Sequence, residues 1–201
     1  MLKRQIYPDS IECGTDEAGR GCLSGPVTAA AVILPKDFDH SIIDDSKKLS
    51  RKRRNLLRPI IEAQALSYQV AHVWMNRIDE INILNASIEA MHIAISRLSI
   101  VPDHIAVDGN RFTKIPGIHH TTVIKGDGKY LHIAAASILA KTHRDEMMAS
   151  LALKHPEYLW EQNQGYPTKS HREAIRKYGP TPYHRTTFKL LPEQYELCFS
   201  K

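Results

Sequence analysis

Residues 27–34, Val-Thr-Ala-Ala-Ala-Val-Ile-Leu, form an unbroken apolar run closed by Pro35, and such a run reads as a buried strand. Only the short turn at 21–26 separates it from residues 11–15, a first strand that leads into Asp16-Glu17. A connection that short cannot make a parallel crossover, so these strands must pair antiparallel. Residues 66–74 alternate apolar with polar and supply a third strand with one face on the core. Two further short strands are expected at 105–110 and 121–124. Residues 78–98 place Ile81, Leu84, Ile88, Met91, Ile95 and Leu98 every three or four positions, the period of an amphipathic helix that Asn76 would cap. A second long helix is expected over 131–153, where Ala134-Ala135-Ala136-Ser137 offers a small-residue face to a sheet. A shorter helix begins after Ser50 and carries Leu56, Leu57, Ile60 and Ile61, with Pro59 inviting a kink. The order predicts an α/β fold: a mixed β-sheet flanked by helices.

At 201 residues, 42% hydrophobic and 24% charged, the chain can bury one full core without repeats or low-complexity tracts. The division expected is a core over 1–155 and a C-terminal helical extension over 156–201, with short helices at 169–177 and 190–199. No apolar run approaches the roughly 18 residues of a membrane span. Met1-Leu2-Lys3-Arg4-Gln5 has no apolar signal core, so a cytoplasmic location is the default expectation. Cys13, Cys22 and Cys198 form no CxxC pair, which argues against a disulfide framework or a zinc site. The net charge is +5, and Lys47-Lys48 with Arg51-Lys52-Arg53-Arg54 concentrates basic groups as a polyanion partner would require.

The chemistry is expected at Gly14-Thr15-Asp16-Glu17-Ala18-Gly19-Arg20-Gly21. Carboxylates hold hard cations through oxygen, while glycines and an arginine let backbone N–H groups and a guanidinium meet phosphate. Asp16 and Glu17 are expected to end the first strand, Asp108 ends the fourth and Asp127 follows the fifth. All four then converge at one edge of the sheet, where two Mg2+ or Mn2+ ions would relieve their repulsion and support phosphodiester hydrolysis. Adjacent strand residues face opposite ways, so Asp16 and Glu17 are expected to meet only where the pleat breaks.

These segments resemble the ribonuclease HII family, part of the type 2 ribonucleases H, over nearly the whole chain. The resemblance rests on Asp16-Glu17-Ala18-Gly19-Arg20-Gly21, Gly25-Pro26-Val27, Asp45-Ser46-Lys47-Lys48-Leu49-Ser50, Val107-Asp108-Gly109 and Lys125-Gly126-Asp127. It continues through Ala134-Ala135-Ala136-Ser137-Ile138-Leu139-Ala140-Lys141, Arg144-Asp145, Gly165-Tyr166 with Thr168 and His171, and Gly179-Pro180 with His184-Arg185. It implies a ribonuclease H-like sheet and an endoribonuclease acting on RNA/DNA hybrids and on lone ribonucleotides in duplex DNA, leaving a 3′-hydroxyl and a 5′-phosphate. Asp16, Glu17, Asp108 and Asp127 would be the catalytic, metal-binding carboxylates, for Mg2+ or Mn2+.

By the same resemblance Gly19, Arg20 and Gly21 would touch the ribose 2′-hydroxyl and adjacent phosphate, and Tyr166 would stack on the junction deoxyribose. Lys47 and Lys48, and less directly Lys125, are candidates for backbone phosphates. Asp145 reads as an ion-pair or cap residue, Asp44 and Asp45 as caps, and His171 and His184 as hydrogen-bonded structural groups. Cys22, Ser24 and His132 depart from the common family pattern without removing a ligand. A monomer is expected; residues 190–199 could house a replication-clamp contact, but a packed terminal helix is the expectation there. A non-catalytic hybrid binder should have lost one of the four acids, and a resolvase-type nuclease would lack the glycine-arginine-glycine turn.

Overall fold

A computed structural model describes residues 2–39, 41, 43 and 49–192 of the chain. The strands are Glu12–Ala18 (β1), Val27–Ile33 (β2), Ser67–Val73 (β3), His104–Asp108 (β4) and His119–Val123 (β5). The helices are Arg51–Gln64 (α1), Met75–Ser96 (α2), Leu131–Lys154 (α3), Trp160–Asn163 (α4) and Lys169–Tyr178 (α5). One sheet runs β3-β2-β1-β4-β5. In it β2 is antiparallel to β1 and β3, whereas β4 is parallel to β1 and β5. The expected mixed sheet is therefore borne out, and β1, which carries Asp16 and Glu17, is its central strand.

The apolar run explains the layering. Along β2 alternate side chains point to opposite faces. Val27, Ala29, Ala31 and Ile33 pack with Ala86, Ala90, Met91, Ala94 and Ile95 of α2. Ala30 and Val32 pack with Leu57 and Ile61 of α1 and with Ala134, Ala135, Ile138 and Leu139 of α3. Every residue of β2 is buried, as a strand covered on both faces must be.

Two helices differ from expectation in detail. Asn76 lies inside α2 and does not cap it. The residue that interrupts the helix is Asn82, at φ 66° and ψ 164°. Its side-chain oxygen accepts from the N–H groups of Leu84 (3.0 Å) and Asn85 (3.1 Å), which caps the longer second segment. The apolar period reads across this break because both segments face the same sheet. By contrast α1 runs on through Pro59, which is exposed, and Ser50 caps it through its hydroxyl. The helix expected at 190–199 falls mostly on 193–201, outside the described residues.

The extension is held by aromatic packing. Tyr158 stacks on Trp160 at 5.1 Å, and both pack with Leu23, Met148, Leu151, Ala152, Ala174 and Ile175. Burying side chains as large as Tyr158 and Trp160 contributes on the order of 2 to 3 kcal/mol each. This fastens the extension to α3 and to the loop after β1.

A backbone-to-backbone contact joins α3 to β1. A Cβ on Gly14 would run into the backbone of His132 and Ile133, so the first turn of α3 lies directly on the strand. Because the obstacle is backbone, it cannot yield by a rotamer change. Gly14→Ala is expected to lower stability by about 1 to 3 kcal/mol or more, measured by urea unfolding. A loss below about 0.5 kcal/mol, the range of a neutral surface change, would show that this contact is not the constraint described.

Candidate active site

The ladder between β1 and β2 runs unbroken through both acids, with Asp16 opposite Ala30 and Glu17 opposite Ala29. Asp16 and Glu17 thus lie in the last three residues of β1, as expected, but the pleat does not break between them. The departure comes after Ala18, at Gly19 with φ 91°. Asp16 is buried and hydrogen-bonded by Ser137 of α3, whose hydroxyl in turn accepts from Lys141 Nζ at 2.6 Å. Glu17, on the longer side chain, takes a hydrogen bond and ion pair from Arg20 at 3.0 Å.

The parallel register of β1 and β4 sets Thr15 beside Val107, which brings Asp16 and Asp108 next to each other one step on. Asp108 Oδ1 accepts from the Gly126 N–H at 2.6 Å. That bond holds the 3-10 turn Gly126–Gly128, and with it the buried Asp127, against the end of β4. Asp16, Glu17 and Asp108 therefore gather at one sheet edge, with the turn that carries Asp127 held against it.

Burial pushes the Asp16 carboxyl well above its ordinary range, and the charges of Glu17 and Asp108 push it further. Burial also raises Glu17; Arg20 opposes the rise and Asp108 adds to it. Such a mutually repelling set of hard oxygens suits a divalent cation. Among the described residues no three acidic, histidine or cysteine side chains form a closed cation cage. Glu17 is turned toward Arg20 and Asp108 toward the Gly126 amide, which lessens the repulsion.

Next to the acids, residues 19–22 form a tight turn closed by Cys22 N–H to Gly19 O at 3.4 Å. Arg20 and Gly21 are exposed. Tyr166, 48% exposed, stands on the neighbouring loop, and its side chain is hydrogen-bonded to Cys22. The backbone ties the two loops as well, through Leu23 N–H to Gly165 O at 2.7 Å.

Residues 13–191 match the family model for ribonuclease HII. The chain belongs to the ribonuclease HII family. It is 62% identical to the ribonuclease HII of Parabacteroides distasonis over 199 residues, which is 99% of this chain and all of that one. Among solved structures, the ribonuclease H2 of Pyrococcus horikoshii superposes with a TM-score of 0.76 at 26% identity, covering 94% of this chain and 99% of that one. The ribonuclease HII of Archaeoglobus fulgidus, solved as a complex with PCNA, gives 0.77 at 28% identity, covering 90% and 96%. As a ribonuclease HII family member the chain is an endoribonuclease with ribonuclease H activity on RNA/DNA hybrids.

Of the other residues singled out from the sequence, Lys47 and Lys48, with Asp44 and Asp45, lie outside the described residues. Lys125 is exposed at the lip of the Asp127 turn. Asp145 pairs with Arg51 at 3.5 Å and Arg54 at 3.7 Å, so part of the basic cluster is engaged internally. His171 and His184 are buried and face each other at 3.2 Å. The Thr181 N–H donates to His184 Nδ1 (2.9 Å) and Trp160 donates to His171 Nε2 (3.0 Å). The remaining His171 nitrogen meets the Tyr166 carbonyl at 2.9 Å. This bonding satisfies two neutral imidazoles and fixes the Tyr166 backbone.

Sequence reasoning assigned no role to Ser137, Lys141, Arg144 or Arg185. The last two are buried in unusual surroundings, with no carboxylate bridged to either among the described residues. The signal available was an arginine within the small-residue helix face and another beside a histidine.

Burial, then the charge of His171, pushes His184 down to about 4, and burial lowers His171 as well. The unfolded chain binds these protons near pH 6.5 and the folded chain resists them, so stability is full above about 6.5 and falls as pH drops toward 4. For His184 alone the loss is on the order of 3 kcal/mol. Urea unfolding at pH 7.5 and 4.5 is expected to show a smaller pH-dependent loss in His184→Gln than in the natural chain. An equal loss in both would remove His184 as its source.

Proposed function

We propose that this ribonuclease HII family member incises DNA duplexes on the 5′ side of a lone ribonucleotide, as well as cutting the RNA strand of continuous hybrids, leaving 3′-hydroxyl and 5′-phosphate ends. The single observation that carries the reading is the placing of Asp16, Glu17 and Asp108 side by side on neighbouring strands, where burial and then their mutual charge raise Asp16 and Glu17, beside a turn that exposes Arg20 and Gly21. In this reading Asp16, Glu17, Asp108 and Asp127 hold two divalent cations, Mg2+ or Mn2+. When bound, the cations lower the pKa of the attacking water and offset charge on the departing 3′ oxygen.

The protein's own residues do the rest. Ser137, backed by Lys141, fixes the Asp16 carboxylate. The Arg20 fork turns from Glu17 to a substrate phosphate, which frees Glu17 for its cation. The N–H groups of the turn meet the ribose 2′-hydroxyl, the group that separates RNA from DNA at one position. Tyr166, held by Cys22 and His171, stacks on the following deoxyribose, and Lys47 and Lys48 take flanking phosphates. The reading includes a cytoplasmic monomer that serves ribonucleotide removal from DNA and RNA primer removal, its extension beginning near residue 156. It also includes a sliding-clamp partner, supported by the PCNA complex of the Archaeoglobus fulgidus protein. No helix among the described residues is long and apolar enough to cross a membrane.

The decisive experiment is cleavage of a labelled DNA duplex carrying one ribonucleotide, beside an all-DNA duplex and a continuous hybrid, with Mg2+ or Mn2+ and with chelator. Metal-dependent incision 5′ of the ribonucleotide is expected, with the all-DNA duplex intact. Efficient nicking of all-DNA would refute 2′-hydroxyl reading by the turn. Asp108→Asn is expected to lower kcat by at least about a hundredfold, because it removes cation-holding charge without changing size. Near-natural turnover in that variant would end the assignment.

Cation binding also has a signature that needs no substrate. Mn2+ is expected to raise the melting temperature of the natural chain through ligand linkage. Asp16→Asn, which relieves a buried repulsion, should melt higher than the natural chain without metal and gain little when Mn2+ is added. A full Mn2+ shift in that variant would take Asp16 out of the site.

A further inference from the structure

We propose that Arg185 is a positioning residue for ribonucleotide discrimination: gripping two carbonyls of the 19–22 turn from below, it aims the N–H groups of Arg20 and Gly21 at the substrate. The proposal rests on the function argued above and deepens it.

Arg185 is fully buried, and all four of its side-chain hydrogen bonds end on one short stretch of chain. Its guanidinium donates to Gly19 O at 2.8 Å and to Arg20 O at 2.9 Å. It also donates twice to Gly25 O, at 2.9 and 3.1 Å. The peptide unit is planar and trans, so its C=O and N–H point in opposite directions. The carbonyl of Gly19 shares its peptide with the N–H of Arg20, and the carbonyl of Arg20 shares its peptide with the N–H of Gly21. Pulling both carbonyls inward therefore turns both N–H groups outward, at residues that are exposed. Among the described residues no group accepts from either N–H. Successive N–H groups aimed the same way make a concave site for an oxygen carrying negative charge.

The second buried arginine fixes the frame around this turn. Arg144 donates to Ser24 O (3.1 Å), to Pro26 O (2.9 Å) and to Gln164 O (2.9 Å), joining the turn to the loop that carries Tyr166. Gly19 has no room for a side chain because the Arg144 guanidinium lies beneath it. Two guanidiniums under one turn, with no carboxylate bridged to either, are costly to bury unless they serve the anion that binds above. Burial pushes Arg185 down to about 10, which leaves it charged at neutral pH.

The test uses the full chain with Arg185→Lys, which keeps the charge but cannot grip two carbonyls in a fork, and with Arg185→Met, which keeps only bulk. Each is checked by thermal melting, then assayed on the single-ribonucleotide duplex with all-DNA duplex as competitive inhibitor. Arg185→Lys is expected to lose at least about tenfold in kcat/KM, because misaimed groups cost that order, while the Ki of the all-DNA competitor stays within about twofold. Arg185→Met should lose at least as much in kcat/KM with a similar Ki. A kcat/KM within about threefold of the natural chain, too small for a misaimed contact, would overturn the proposal. So would a Ki that rises in proportion to the loss, since that reports a general distortion of the groove. Failure of both variants to fold would also overturn it by making Arg185 a residue of stability alone. If the natural chain itself does not cut the single-ribonucleotide duplex, it is the proposed function that fails, and the comparison of variants is not reached.

Discussion

Everything that positions the active site depends on α3 lying directly on β1, a contact made possible where the strand has no side chain. At Gly14 the helix start touches the strand backbone, and at Gly19 the Arg144 guanidinium fills the place of a Cβ. Helix and strand keep step between these points. From His132 to Arg144 the helix rises about 18 Å, and from Gly14 to Gly19 the strand advances about 17 Å. Ser137 falls between, beside Asp16. One line of contact thus delivers the hydroxyl that holds the first acid and the cation that supports the turn. The alanines of α3 are part of the same requirement, since only small residues allow a helix so close to a sheet.

Around that line the charges are sorted by height. The acids stand at the open edge formed by β1, β4 and the Asp127 turn, where burial and mutual repulsion raise Asp16 and Glu17. The two arginines lie beneath the adjacent turn and bond only to carbonyl oxygens. Neither group neutralises the other directly, so the acids remain available to a cation and the turn to an anion. Arg20 is the exception, bridging to the mostly buried Glu17 with a guanidinium that is half-exposed on the solvent side.

The layers and the acids were legible in the sequence because both are written in local patterns. The run at 27–34 could only be a strand covered on both faces, and the 131–153 helix announced its sheet-facing side by its alanines. The four acids were legible as residues, and Asp16 and Glu17 as the end of the first strand, but the unbroken pleat between those two was not. The pleat break expected between them rested on the flanking Gly14 and Gly19, whereas antiparallel pairing with β2 carries the ladder unbroken on to Ala18. Asn82 escaped because a break between two segments of equal period leaves the apolar spacing intact. Arg144 and Arg185 escaped for a different reason: arginine is read as a surface residue, and its burial here is stabilised by carbonyls that only tertiary structure brings together.

The two ends of β1 place carboxylates in opposite surroundings. Burial alone would raise Glu12, yet hydrogen bonds from His132 and from the Ile6 and Tyr7 N–H groups hold it below its ordinary range. His104 adds a contact at 3.1 Å. That carboxylate is saturated with donors and serves as an anchor for the N-terminal segment. Four residues along the same strand Asp16 meets the charges of two other acids, against which it has the Ser137 hydroxyl, the Glu17 N–H at 2.7 Å and the more distant Lys141. Two carboxylates on one rigid element shift in opposite directions because Asp16 is the more deeply buried and faces other acids where Glu12 faces donors, and the repelling end is the one suited to a divalent cation.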